Sequence, residues 1–234
     1  MIISTHMPKT AGLSFRATLE ECFGAGFRHD YSDYPLNNQP PVRHSAAMEH
    51  NLSLAGNLAD YAGIECIHGH FLPFKYLVLA DHMDCRFVTW MREPVARLVS
   101  HYYYWHRAYD AGSDSTADLH RRVVEEEWSL EKFCLAPELR DIYAQFLWGF
   151  PPQRLDFIGI TEFYEEDLRY FSSTFLGHNT EAQKVNQRDD GMESGLDDGF
   201  SARLRAKIQD YHSVDMDLYR RALQARESRP AVAG

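Results

Sequence analysis

Cysteine is scarce in this chain, and the four thiols, Cys22, Cys66, Cys85 and Cys134, show no C-x-x-C spacing. Neither a disulfide framework nor a zinc site is suggested, and reduced, buried thiols are expected. Positive charge is also in short supply. Lysine and arginine number 24 against 34 acidic residues, a formal net charge of −10. That balance disfavours broad nucleic-acid or anionic-membrane binding but leaves room for one small basic pocket that recognises a nucleotide. No apolar run approaches the roughly 20 residues needed to cross a bilayer, and the N-terminus lacks a basic n-region and an apolar h-region. The expectation is therefore a soluble, cytoplasmic protein with no membrane and no nucleic-acid partner. Internal repeats and low-complexity tracts are missing as well.

What is present suits one globular unit. A chain of 234 residues, 44% of them hydrophobic, can bury a substantial core, read here as a single domain over residues 1–226 with a frayed tail at 227–234. Ile2 and Ile3 give a short strand stopped by Pro8, and a helix is expected over 14–22. Residues 31–42, with Pro35, Pro40 and Pro41, read as a surface loop, and 45–61 as irregular to helical. Residues 64–68 read as a buried strand opening into Gly69 and His70, while 74–80 are ambiguous. Residues 85–91 have the β-branched and aromatic character of a central strand, after which Pro94 suits the first position of a helix. Helices are expected within 115–133 and 140–148, a third strand–helix unit at 155–175, a long polar loop at 177–198, and a closing helix that breaks near Asp215. Three strand–helix units predict an α/β fold: a P-loop-like central parallel β-sheet flanked by helices, in three α/β/α layers.

The chemistry concentrates in two places. In the first, Lys9-Thr10-Ala11-Gly12 can turn with backbone N–H groups pointing inward as Ser14 begins a helix, a nest for a phosphate or sulfate. Lys9 adds a mobile charge, Thr10 and Ser14 add hydroxyls, and Gly12 allows close backbone approach. The pattern departs from the ATP-type loop G-x-x-x-x-G-K-[ST], because no glycine precedes Lys9; the alternative is an ordinary strand-to-helix turn with a surface lysine. In the second place, the strand ending Phe87-Val88-Thr89-Trp90-Met91 runs into Arg92. An ATP-hydrolysing P-loop protein usually carries an acidic Mg²⁺ holder there. Arginine binds an anion instead, and the Ser100 hydroxyl could join it on a second phosphate. The alternative for Arg92 is a local salt bridge, for instance with Glu93.

Pro8-Lys9-Thr10-Ala11-Gly12-Leu13-Ser14 and Arg92-Glu93-Pro94-Val95-Ala96-Arg97-Leu98-Val99-Ser100-His101-Tyr102-Tyr103 together resemble the two nucleotide-binding signatures of the PAPS-dependent sulfotransferases. The carbohydrate branch, which includes the heparan sulfate 2-O-sulfotransferases, is the nearest likeness. The resemblance implies that Lys9, Thr10, Ala11, Gly12, Leu13 and Ser14 hold the 5′-phosphosulfate of 3′-phosphoadenylyl sulfate. It likewise implies that Arg92 and Ser100 hold the 3′-phosphate, with no metal. Leu13 stands where the family usually has Thr, which removes one hydroxyl donor but leaves a backbone N–H. A weaker likeness covers residues 157–162 and Lys184-Val185-Asn186, where the family has a loop that closes over the nucleotide and to which Lys184 and Asn186 would contribute. Residues 31–57 give no match.

Sulfuryl transfer needs a base for the acceptor hydroxyl and positive charge on the leaving oxygen. Lys9 suits the second role. For the first, His68-Gly69-His70 is similar to a His-Gly-His segment of the 2-O-sulfotransferases, where histidines are implicated as base; His68 and His70 stand level, one as base and the other orienting the acceptor. The spacing on extended backbone puts both rings on one side. The other ten histidines default to structural or solvent-facing roles, though His6 could shape the loop, and no further ligands at a recognisable spacing accompany the pair for a metal. Tyr102 to Trp105 read as helix packing. The expected acceptor is a hydroxyl of a carbohydrate or another small polar molecule, neutral or short, because a long basic cleft for a polyanion has only Arg43, Lys75, Arg107, Arg121 and Arg122 as obvious scattered candidates outside the nucleotide site. The competing readings are a P-loop kinase for a small metabolite and a nucleotide- or glycan-binding module without catalysis. The sequence leaves the oligomeric state open.

Overall fold

Ile2 and Ile3 point to opposite faces of strand β1 (Ile2–Thr5), as successive strand residues must, and each joins a separate core. The computed structural model describes residues 1–31, 36–113, 117–177 and 201–230. The other strands are β2 (Phe27–His29), β3 (Cys66–Gly69), β4 (Arg86–Met91) and β5 (Leu155–Ile160), all parallel, in the order β2-β3-β1-β4-β5. Helices cover both faces. On one face, Ile2, Cys66, Val88 and Phe157 pack with Phe15 and Leu19 of α1 (Gly12–Phe23) and Leu168 and Phe171 of α7 (Tyr164–Phe171). On the other, Ile3, Ile67 and Phe87 meet α2 (Pro40–Leu54), α3 (Pro94–Ala108), α5 (Leu130–Cys134), α6 (Ile142–Phe146), α8 (Ala202–Tyr211) and α9 (Ser213–Glu227). A further helix, α4 (Asp118–Glu125), packs Leu119 and Val123 against the same core. The architecture is three-layered α/β/α.

Several local expectations need correction. Pro40 and Pro41 start α2 instead of blocking it, because the first helical residues need no intrahelical N–H and proline's fixed φ suits them. β2 is three residues long, too short for an alternation to show. The sheet consequently has five strands, β2 being the one beyond the four read from the sequence. The ambiguous stretch becomes a 3₁₀ helix, Pro73–Asp81. The closing helix does break near Asp215, at His212, where the ring bridges the Cys134 carbonyl at 2.6 Å and the Asp141 N–H at 3.1 Å. α9 then runs to Glu227, and beyond it Arg229 still pairs with buried Asp167 at 2.9 Å. All four thiols are free; Cys66 and Cys134 are buried as expected, whereas Cys22 and Cys85 are only half-buried.

β1 lies between β3 and β4. The chain leaves β1 toward β2 and β3 on one side and reaches β4 and β5 on the other, so the crevice beyond the carboxyl ends of these strands is where an open α/β sheet offers a binding site. All three candidate loops leave from that edge.

Candidate anion-binding and catalytic site

The first loop is strained in the manner of a nest. Lys9 has φ +66° and Ala11 φ +61°, left-handed values that cost a non-glycine residue about 1 kcal/mol each. Ala11 occupies the N-cap of α1 without offering a side-chain acceptor, and no acidic residue lies in the first turn. The N–H groups of Gly12, Leu13 and Ser14 therefore keep the orphan character of a helix start, with the dipole behind them. The Thr10 hydroxyl departs from expectation: it is buried and donates to the Met7 carbonyl at 2.8 Å, closing the turn from inside. Thr10 can offer an anion its backbone N–H alone. Leu13 turns its side chain outward, 42% exposed. The Lys9 ammonium rests over the ring of Tyr104 in α3, 4.0 Å from its centroid, a cation–π contact that holds the charge at the mouth of the loop.

Gly12 is required by a neighbour. A Cβ there would stand 1.9 Å from the His6 imidazole, so any side chain would expel that ring. His6 stacks on both candidate bases, with centroids 4.2 Å from His70 and 5.2 Å from His68 and ring planes within 26° and 24°. The pair thus shares a side through His6, which joins the cluster and leaves its default structural role. Its Nδ1 is hydrogen-bonded to the Tyr31 hydroxyl at 3.1 Å.

The two candidate bases differ. His68 is buried on β3, its Nδ1 bonded to the Ser4 hydroxyl of β1 at 2.8 Å and its Nε2 buried without a partner. Burial, with the neighbouring His70 and Arg16 charges, lowers its pKa to about 3. His70 is only half-buried. Its Nδ1 lies 2.5 Å from the His6 carbonyl; a carbonyl can only accept, so Nδ1 carries the proton and Nε2 the lone pair. Burial lowers its pKa to about 4 against the opposing pull of that hydrogen bond. Both rings are neutral at physiological pH, and His70 is the more exposed of the two.

Arg92 follows β4 directly. Its guanidinium forms no ion pair among the described residues, whereas Glu93 caps α3 through Ala96 N–H at 2.6 Å and pairs with Arg205 at 3.7 Å. The Arg92 backbone is clamped by Tyr143 of α6, whose hydroxyl accepts from Arg92 N–H at 2.8 Å and donates to the Arg92 carbonyl at 2.5 Å. Asp215 in turn accepts from the N–H groups of Tyr143 and Ala144 at 3.0 and 3.1 Å. Burial raises Asp215 to about 7, and the charge of Arg97 pulls it back down. Arg97 is fully buried, and its three guanidinium nitrogens have no hydrogen-bond partner among the described residues. Ser100 lies buried on the same helix, one turn further on.

Tyr31, Tyr104, Tyr143 and Ser4 escape a reading of the sequence because each acts across the fold; Tyr143 reaches Arg92 from 51 residues away. Lys184 and Asn186 lie outside the described residues. Among the scattered cations, Lys75 is buried in an ion pair with Asp30 at 2.8 Å and Arg43 is buried against Gln145 at 2.6 Å, so neither is a solvent-facing cation for an acidic polymer. No helix among the described residues is long and apolar enough to cross a membrane. Neither the models of known protein families nor the curated proteins match this chain.

Proposed function

We propose that the protein is a PAPS-dependent sulfotransferase, of the P-loop-like type, that moves a sulfuryl group from 3′-phosphoadenylyl sulfate to a hydroxyl of a carbohydrate or other small polar acceptor. The observation that carries this reading is the pairing on adjacent strands of an uncapped anion loop after β1 with an arginine, in place of an acidic metal holder, after β4. Two anion sites of this kind suit a nucleotide with phosphates at both ends of its ribose.

In this reading the N–H groups of Ala11 to Ser14 and Lys9 hold the phosphosulfate, and Arg92 and Ser100 hold the 3′-phosphate; Lys184 and Asn186 stay with the proposal as closing-loop contacts. His70 Nε2 takes the proton from the acceptor hydroxyl as its oxygen attacks sulfur. The bond from sulfur to the bridging phosphate oxygen breaks in line, and the Lys9 ammonium stabilises the charge left on that oxygen. His68 and His6 are neutral rings that fix where His70 stands.

A P-loop kinase for a small metabolite is disfavoured by Arg92 at the position where such enzymes hold Mg²⁺. A calorimetric titration with adenosine 3′,5′-bisphosphate in the absence of Mg²⁺ tests the reading. Saturable binding that Arg92→Glu abolishes is expected. Heat only from ATP with Mg²⁺, and none from millimolar bisphosphate, would move the protein to the kinase class. Bisphosphate binding with no sulfated product from a broad acceptor panel would leave a binding module.

A further inference from the structure

A cavity of about 620 Å³ opens between the start of α2, the start of α4 and the turn of α6, within the range of about 300–1,000 Å³ usual for small-molecule sites. Nothing in the nucleotide reading uses it. Two contacts join its walls: Arg43 Nη2 of α2 donates to Gln145 Oε1 of α6 at 2.6 Å, and the His44 ring lies flat on Trp148 with centroids 3.7 Å apart and planes within 4°.

Both walls are tied to the reacting groups. Tyr31, shortly before α2, is hydrogen-bonded to His6, on which His70 stacks. α6 carries Tyr143, whose hydroxyl clamps the backbone of Arg92. α2 begins on the side of the sheet where β2 ends, and there Asp30 N–H bonds the His68 carbonyl at 3.0 Å. Helix α6 is thus shared between the cavity, which it lines with Ala144 and Gln145, and the Arg92 backbone, which it holds through Tyr143.

The lining decides the chemistry of the occupant. It carries Arg43 and Arg122 against Asp118, Glu138 and Asp141; Arg122 pairs with Glu138 at 3.5 Å, while Arg121 and Arg140, outside the lining, pair with Asp118 at 3.7 Å and Asp141 at 3.5 Å. A polyanion would meet Asp118, Glu138 and Asp141 with no surplus of cations to offset them. The carboxamides of Asn37, Asn38 and Gln39 at the rim supply donors and acceptors together, the combination that hydroxyl groups require. We infer that this cavity binds a neutral, hydroxyl-rich ligand of a few sugar units, and that this ligand is the sulfuryl acceptor. The acceptor role rests on the sulfotransferase reading, whereas the binding itself does not.

Saturation-transfer NMR with neutral trisaccharides (maltotriose, cellotriose, N,N′,N″-triacetylchitotriose) and a heparan hexasaccharide tests it, on the wild type and on Ala117→Trp, which fills the cavity from the start of α4. The exposed rim variant Asn38→Trp guards against a folding defect in the first. At least one neutral trisaccharide should bind the wild type, weakened about tenfold or more by either substitution, with bisphosphate affinity unchanged. Binding that survives both substitutions, no neutral binding at millimolar concentration, or preference for the heparan fragment would overturn the inference. Trisaccharide binding at the cavity in a protein that ignores the bisphosphate would uphold the site and remove the sulfotransferase reading instead.

Discussion

At the scale of single residues, the site departs from ordinary preference where its chemistry is densest. Lys9 and Ala11 adopt left-handed backbone conformations that glycine would adopt more cheaply. Ala11→Gly should therefore stabilise the fold by about 1 kcal/mol while keeping the anion nest, measured by denaturant unfolding beside a bisphosphate titration; a loss of stability would show that the loop is not strained. Tyr104 presents its ring to the Lys9 ammonium. Tyr104→Leu should lower kcat several-fold with little change in donor affinity, and Tyr104→Phe, which keeps the π face, should restore most of it. Equal losses in both variants would point to the hydroxyl instead. Lys9, Gly12 and Arg92 are legible in the sequence because each belongs to a short contiguous pattern with a physical reason for every position. Tyr104 is not, since a tyrosine run on a helix reads as packing until the helix is placed. Thr10 reads as an anion ligand, but its hydroxyl is already committed to the Met7 carbonyl.

At the scale of elements, β1, β3, β4 and β5 were readable from their apolar runs and the sheet from their alternation with helices, whereas β2 was too short to show. α2 was not, because its proline pair looks like a breaker until it is recognised as the first turn. α6 explains how Arg92 is held. Its five residues are too few to form a stable helix alone, and the Asp215 carboxylate supplies the acceptors for its first N–H groups. Tyr143→Phe removes the hydroxyl that bridges the Arg92 N–H and carbonyl. Its two bonds contribute about 1 kcal/mol each to the fold; a loss of about half of that at the arginine should weaken bisphosphate binding about fivefold, with acceptor KM unaffected. An unchanged donor Kd would show that the clamp does not position the arginine.

For the whole molecule, the buried histidines set the response to acid. His6, His68, His70, His101 and His212 all have pKa values lowered, chiefly by burial. A base with a depressed folded pKa binds its proton more readily when unfolded, so stability is present above the ordinary value and lost as pH falls. For His68 the loss begins near 6.5, costs about 1.4 kcal/mol per pH unit, and continues to about 3. Asp215 works with the opposite sign. Its pKa is raised from 3.8 to about 7, so its contribution is full at acid pH and declines as pH rises through that window, offsetting about one histidine. With six lowered histidines, His44 included, against one raised carboxylate, melting temperature should fall below about pH 6. His68→Gln should make the fall shallower and Asp215→Asn steeper. If neither changes the slope, other groups govern the acid limb.

The central claim is that this edge of the sheet transfers sulfate. Incubating the protein with labelled 3′-phosphoadenylyl sulfate and neutral oligosaccharides, without divalent cations, tests it most directly. The account predicts labelled sulfated saccharide, reduced about a hundredfold or more by Lys9→Ala and by His70→Ala. An absence of transfer by the wild type, joined to Mg²⁺-dependent phosphorylation of a small acceptor from ATP, would contradict it.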